Sequence, residues 1–369
     1  RPCSQRHSFI ILATMITRRK FVKKSSMGGS ALLAAAVVPF YILPSKPKLG
    51  EQILGHGDFK YKVETNWGNL DPKVFPVNNC HEMVMDRKGR LFMLTDHPKN
   101  NVLIYDRSGK LLGSWTLNLS SAHGLTIHEA GGEEYLYITD PGSGRVLKST
   151  LEGDVVFELD SPDKIGEYDG KMFFRPTETA IGPNGDIYVA DGYGSQYILQ
   201  YNSEGEFIRK FGGDSFLQPD KFKQVHGVTL DTREPNNPSL LCTARIKNSF
   251  KRFSLDGKYL ETFYLPGAFV SRPVIDGDNI YSGVCFGMEK GNYNLALNKG
   301  FVTILDRENK VVSNPGGTKP KYKNGKLKLM LQDQTVFKNC HDVCVDGDKN
   351  LYVCQWNANG VYPYKLHRI

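Results

Sequence analysis

The stretch that decides the fold runs Pro176-Thr-Glu-Thr-Ala-Ile-Gly-Pro-Asn-Gly-Asp-Ile-Tyr-Val-Ala-Asp191, then Tyr197-Ile-Leu-Gln-Tyr201, Asn202-Ser-Glu-Gly205 and Glu206-Phe-Ile-Arg-Lys-Phe-Gly212. Short apolar runs with a period of two are separated by Asn-Gly and Glu-Gly, the pairs that supply the positive φ of a tight hairpin, so the segment predicts four antiparallel strands. The same grammar recurs at His81-Glu-Met-Val-Met-Asp86 with Leu91–Asp96, at His123-Gly-Leu-Thr-Ile127 with Tyr135–Asp140, and at His226-Gly-Val-Thr-Leu-Asp231 with Leu240–Arg245. A fifth copy starts at Arg272-Pro-Val-Ile-Asp276 and a sixth at His341-Asp-Val-Cys-Val-Asp346. Four-stranded units at intervals of roughly 40 to 50 residues bury their faces only against one another, which is the signature of a β-propeller. The expected fold is all-β with six blades, spanning residues 71–369. The last copy has room for three strands, whereas Phe59–Thr65, within a leading segment 46–70, is a free strand. That strand is expected to complete the last blade and close the ring, leaving no long open edge.

Composition agrees. The chain has 369 residues, 40% of them hydrophobic and 23% charged, enough apolar material for a large core. Seven of the eight excess positive charges belong to Arg1, Arg6, Arg18, Arg19, Lys20, Lys23 and Lys24, in a stretch (residues 1–45) without an acid, so the remainder carries only +1. A near-neutral body disfavours nucleic acid as a partner. The charged head Arg18-Arg-Lys-Phe-Val-Lys-Lys24, followed by the apolar run from Met27 to Leu43, predicts an export signal of the twin-arginine type, with residues 1–14 upstream of the start at Met15. Delivery to the periplasm or outside is expected. The alternative is retention at the membrane, although Gly28–Leu43 is short for a span of about 20 residues. Cys80, Cys242, Cys285, Cys340, Cys344 and Cys354 follow the signal with no CxxC pair, and most are expected to be buried small hydrophobes.

Four histidines, His81, His123, His226 and His341, each open the first strand of a repeat. In a propeller that strand lines the central channel, so the four imidazoles converge on one axis. Three imidazoles with an open fourth position hold catalytic zinc, and His123, His226 and His341 are the candidate set, with His81 either an additional ligand or a residue lining the channel.

On His123-Gly-Leu125, Arg175-Pro-Thr177, Ile187-Tyr-Val-Ala-Asp-Gly-Tyr193, Phe222–His226 and Cys340-His-Asp342, the chain resembles NHL-repeat propellers and, among them, the peptidyl-α-hydroxyglycine α-amidating lyase domain, from about residue 70 to 369. The resemblance implies zinc on His123, His226 and His341 and a structural calcium held by the Met83 and Leu125 carbonyls and Asp342. It also implies Tyr193 as base on the substrate hydroxyl and Arg245 as a grip on the substrate. Zinc polarising a hemiaminal hydroxyl, and a phenolate near metal and cation, suit C–N cleavage that releases an amide and glyoxylate.

The sequence departs from that family. Asp96, with His97 beside it, stands at the position of a second catalytic arginine, and an aspartate cannot hold a carboxylate. Gly194 follows Tyr193 where the animal enzymes have a disulfide cysteine, and no oxygenase domain is expected among these residues. Arg175 or Arg272 are the candidates to substitute for the arginine, but an Arg before Pro at a strand start is expected to be solvated. Two readings stand: an exported, zinc-dependent lyase-like enzyme acting on a small hydroxylated or peptide-derived substrate, and a non-catalytic propeller binding a protein, peptide or glycan in the cell envelope.

Overall fold

The structure is a computed structural model that describes residues 52–369, which fall within one contiguous unit. The expected export signal and the first residues of the 46–70 segment lie outside the described residues. Among the described residues, no helix is long and apolar enough to cross a membrane.

Six antiparallel sheets make six blades. The third, which decided the reading, has strands Glu178–Ile181, Ile187–Ala190, Tyr197–Tyr201 and Phe207–Gly212, joined in chain order. Gly185 and Gly205 sit at φ 88° in its two tight turns, the left-handed region that an L side chain disfavours. The period of two shows as alternating exposure in an outer strand such as Leu111–Trp115 of the first blade. The three inner strands of the third blade are buried on nearly all residues, because a neighbouring blade covers each face.

The core follows from that arrangement. It is not one cluster but six, each wedged between two adjacent blades. Trp67, Tyr105 and Tyr352 fill the wedge between blades one and six, and Tyr188, Phe222 and Phe253 the wedge between three and four. That a cluster joins blades six and one as well as the other five pairs shows that the ring is closed.

Closure uses the leading strand, as expected. Phe59–Glu64 pairs antiparallel with the last strand, Tyr364–Arg368, in the register Tyr61↔Arg368 to Glu64↔Lys365. A further strand, Ile53–His56, pairs outside it and makes the closing sheet five-stranded. Leu54, Tyr61 and Val63 are buried against Tyr281, Val343 and Leu366.

Blade five carries two insertions. Its inner strand is split into Phe269–Val270 and Val274–Asp276, and its second strand, Asn279–Glu289, runs on past the blade to pair with Asn292–Ala296. The basic loop after Pro315 forms a small hairpin, Tyr322–Lys323 with Lys326–Leu327, tied to the blade by Tyr322 donating to the Val311 carbonyl at 3.3 Å.

The six cysteines among the described residues are buried and unpaired. Burial raises every one of these thiols, Cys285 the least, to about 11. Neutral, enclosed thiols react slowly. Mass spectrometry after iodoacetamide is expected to find these six unmodified in the folded protein, and all six alkylated in guanidinium without prior reduction. A requirement for reductant would show a disulfide and contradict this packing.

Candidate metal centre

The inner strand of each blade starts at the same mouth of the channel, and the four histidines stand there. Blades one and six place theirs through bulges. In Cys80–Met85, Cys80 faces Thr95 and Glu82 faces Leu94, so His81 is the unpaired extra residue; in Cys340–Val345, His341 is extra in the same way. A bulge re-aims the side chain it carries, here into the channel. Blades two and four use a His-Gly step instead. A Cβ on Gly124 would lie 2.5 Å from the Thr177 carbonyl oxygen, so only glycine lets the next blade come close enough for that carbonyl to bond His123.

The result is a knot of imidazoles. Ring centroids of His81, His123, His226 and His341 lie 4.7–4.9 Å apart in five of the six pairings. Their hydrogen bonds fix which nitrogen can bind a metal. His123 Nδ1 donates to the Thr177 carbonyl at 2.8 Å and His341 Nδ1 to the His81 carbonyl at 2.9 Å, leaving Nε2 of each as a lone pair. His81 Nε2 faces Asp96 Oδ2 at 3.3 Å, and its Nδ1 has no partner. The His341 Nε2 and His226 Nδ1 atoms are also buried without a partner.

Three of these rings are held neutral. Burial first, then the neighbouring imidazoles and Arg245, push His123, His226 and His341 well below the usual imidazole range. Burial opposes the Asp96 charge, but hydrogen bonds from His81 and Asn79 outweigh it and hold that carboxyl below its ordinary range. Three neutral imidazoles, with a fourth beside a carboxylate, form the donor set of zinc, copper, iron or nickel. Uncompensated, their lone pairs oppose one another.

The sequence expectation puts zinc on His123, His226 and His341, with His81 beside them. His81, His123 and His341 have ligand atoms all within 4.8 Å of one another. His226, expected as the third ligand, has its Nε2 3.1 Å from His123 Nε2 and 3.1 Å from the Tyr193 hydroxyl. His81, read as additional, is as central as the other three. The structure therefore brings four histidines to the centre.

Tyr193 and Arg245 are also brought there. The Tyr193 hydroxyl is 3.0 Å from His123 Nε2 and 3.1 Å from His226 Nε2, and the Arg245 charge acts on it. Its loop is set by Gly192, where a Cβ would meet the Val225 carbonyl oxygen at 2.3 Å. Burial raises the phenol above its ordinary range, with Arg245 opposing, so the guanidinium alone does not make a phenolate here. Arg245 is itself buried, donating to the Val270 carbonyl at 3.0 Å and Ser271 Oγ at 2.9 Å, over the ring of Phe286.

Two expectations are corrected. Met83, Leu125 and Asp342 do converge, but their oxygens are bonded to the Arg272 guanidinium, and a calcium ion does not fit beside it. Arg272 is accordingly neither solvated nor free to replace a substrate-gripping arginine, while Arg175 is exposed. The residues that sequence reasoning missed are Glu82 and Glu178, whose one visible signal is an acid inside a strand that is otherwise buried throughout.

No family model matches the chain. It is similar to peptidyl-alpha-hydroxyglycine alpha-amidating lyase 1 of Drosophila melanogaster, 27% identical over 286 residues, which is 71% of this chain and 47% of that protein. It is also similar to NHL repeat-containing protein 3 of Homo sapiens, 32% identical over 47% of this chain and 51% of the other. The chain spans about half the length of the curated relatives it matches. A streptogramin B lyase structure and virginiamycin B lyase from Staphylococcus aureus superpose with TM-scores of 0.53 at 14% identity, covering 83% and 84% of this chain and 97% and 100% of theirs. These share the fold.

Proposed function

We propose that this six-bladed propeller is a metal-dependent lyase of the amidating-lyase type, exported and using zinc, acting on a small hydroxylated or peptide-derived substrate. The observation that carries the reading is the knot of buried imidazoles, three of them held neutral, in which ligand atoms of His81, His123 and His341 lie within 4.8 Å of one another beside Tyr193. A binding scaffold has no use for so costly an arrangement, since buried polar atoms without partners are destabilising by about 1–3 kcal/mol each. The similarity to amidating lyases supports the same reading.

A bound zinc ion would supply a Lewis acid, with His123 Nε2, His341 Nε2 and His81 Nδ1 available to hold it. The chain's own groups do the rest. Asp96 fixes the His81 tautomer; Thr177 and His81 carbonyls fix those of His123 and His341. As a phenolate, Tyr193 would stand where it can take a proton from a substrate hydroxyl and become a phenol, and Arg245 would stabilise the phenolate before that transfer. Asp96 in place of an arginine implies a substrate gripped by fewer cations than in the animal lyases.

The test is glyoxylate release from an α-hydroxyglycine peptide by the zinc-loaded protein. Tyr193→Phe is expected to lower kcat by about 10²–10⁴-fold, the range for losing a general acid–base group, with metal content unchanged. No glyoxylate from any such peptide, with one zinc bound, would leave other chemistry on the same metal. No transition metal at all would leave the propeller as a scaffold.

A further inference from the structure

Below the histidines the channel holds a second charged layer, centred on Arg272, which is only 7% exposed. Its Nε and Nη2 bond the two oxygens of Asp342 at 2.8 and 2.9 Å, Nη1 bonds the Leu125 carbonyl at 2.6 Å, and Nη2 bonds the Met83 carbonyl at 3.1 Å. Glu82 and Glu178 bring carboxylate oxygens to 3.2 and 3.8 Å of Nη1. The acceptors come from blades one, two, three and six, and the arginine from blade five.

Carboxylates and backbone carbonyls converging on one point are the donor set of a hard divalent cation. Here a planar guanidinium with five N–H donors fills the place, bidentate on Asp342. A Cβ on Gly227 would lie 2.5 Å from the Arg272 Cα, so the Arg272 backbone is pressed against blade four. We propose that Arg272 is a built-in cation that ties the blades together in place of a channel metal ion, so that this protein needs no calcium.

The acceptors are also coupled to the metal centre. Asp342 Oδ2 accepts from the Met83 amide at 2.9 Å and Glu82 Oε2 from the Leu125 amide at 2.7 Å. Glu82 and Asp342 directly follow His81 and His341, and Leu125 lies two residues after His123. Arg272 is thereby a positioning residue, setting the relative heights of the three strands that carry those histidines.

Removing the guanidinium should leave a calcium cradle behind. The experiment compares melting of the wild type, Arg272→Lys and Arg272→Ala, each stripped of metal and then given millimolar CaCl2 or MgCl2. Calcium isolates this layer, because imidazole nitrogens do not suit it. The wild type is expected to shift by less than about 1 °C and Arg272→Ala to melt about 5–10 °C lower, as for a buried ion pair broken on one side. Calcium, but not magnesium, is expected to restore at least half of that loss, since magnesium demands a tighter octahedral cage. Arg272→Lys keeps a cation and is expected to ignore calcium. A wild type that binds or is stabilised by calcium, an alanine variant indifferent to it, or one that fails to fold even in its presence, would each overturn the proposal.

Discussion

Replacing His123 and His341 together by alanine is expected to abolish transition-metal binding and to lower turnover by more than about 10³-fold, the scale of losing a group that stabilises charge in the transition state. The two rings are chosen because each has its Nδ1 committed to a carbonyl, Thr177 and His81, so Nε2 is the single atom it can offer. A metal held by folded protein alone stabilises it by about 4 kcal/mol at a thousandfold excess over its dissociation constant. A chelator such as 1,10-phenanthroline should therefore lower the melting temperature of the wild type and leave the double variant unmoved. Without metal, the variant is expected to melt no lower than the stripped wild type, because the opposed lone pairs have been removed along with the rings. Elemental analysis of protein purified without chelator checks the first statement and paired melts the second. Equal chelator effects in the two proteins would place the metal elsewhere.

Deleting residues 52–64 from the chain is expected to be as severe for the fold. The deletion strips the closing blade of its outer strands and leaves Tyr364–Arg368 as an open edge. It also removes Leu54, Tyr61 and Val63 from the wedge between blades five and six. A single Tyr61→Ala substitution is expected to cost about 3–5 kcal/mol, the range for truncating a buried aromatic ring. The full deletion should give no monomer with a cooperative melt, only aggregate on size-exclusion chromatography, and the peptide of residues 52–65 added in trans should restore part of it. A deletion variant that melts within a few degrees of the parent would show that the ring closes without this strand.

Much of the architecture could be read from local signals. Asn184-Gly185 and Glu204-Gly205 marked the hairpins of blade three, and all four of its strands lie where the reading put them. The closing strand was legible because the last repeat was one strand short. The metal centre was legible in part: histidines at one register of a repeat must share an axis, and they do. What the register could not tell was which of them point their lone pairs at a common centre. His81 and His341 owe their aim to bulges between Cys80 and Glu82 and between Cys340 and Asp342, and a bulge leaves no mark in a pattern of period two.

Arg272 shows where local reading ends. An arginine before proline at a strand start reads as solvated, and nothing within ten residues of it argues otherwise. Its partners Asp342, Leu125 and Met83 lie 70, 147 and 189 residues away along the chain, on three other blades. The sequence alone determined the repeat, the ring and the histidines on its axis, because turn chemistry and strand period act over a few residues. Only the tertiary structure decided that an arginine, and not a calcium ion, meets the acids of the channel, because the charge at one point of an enclosed channel is the sum over every blade that reaches it.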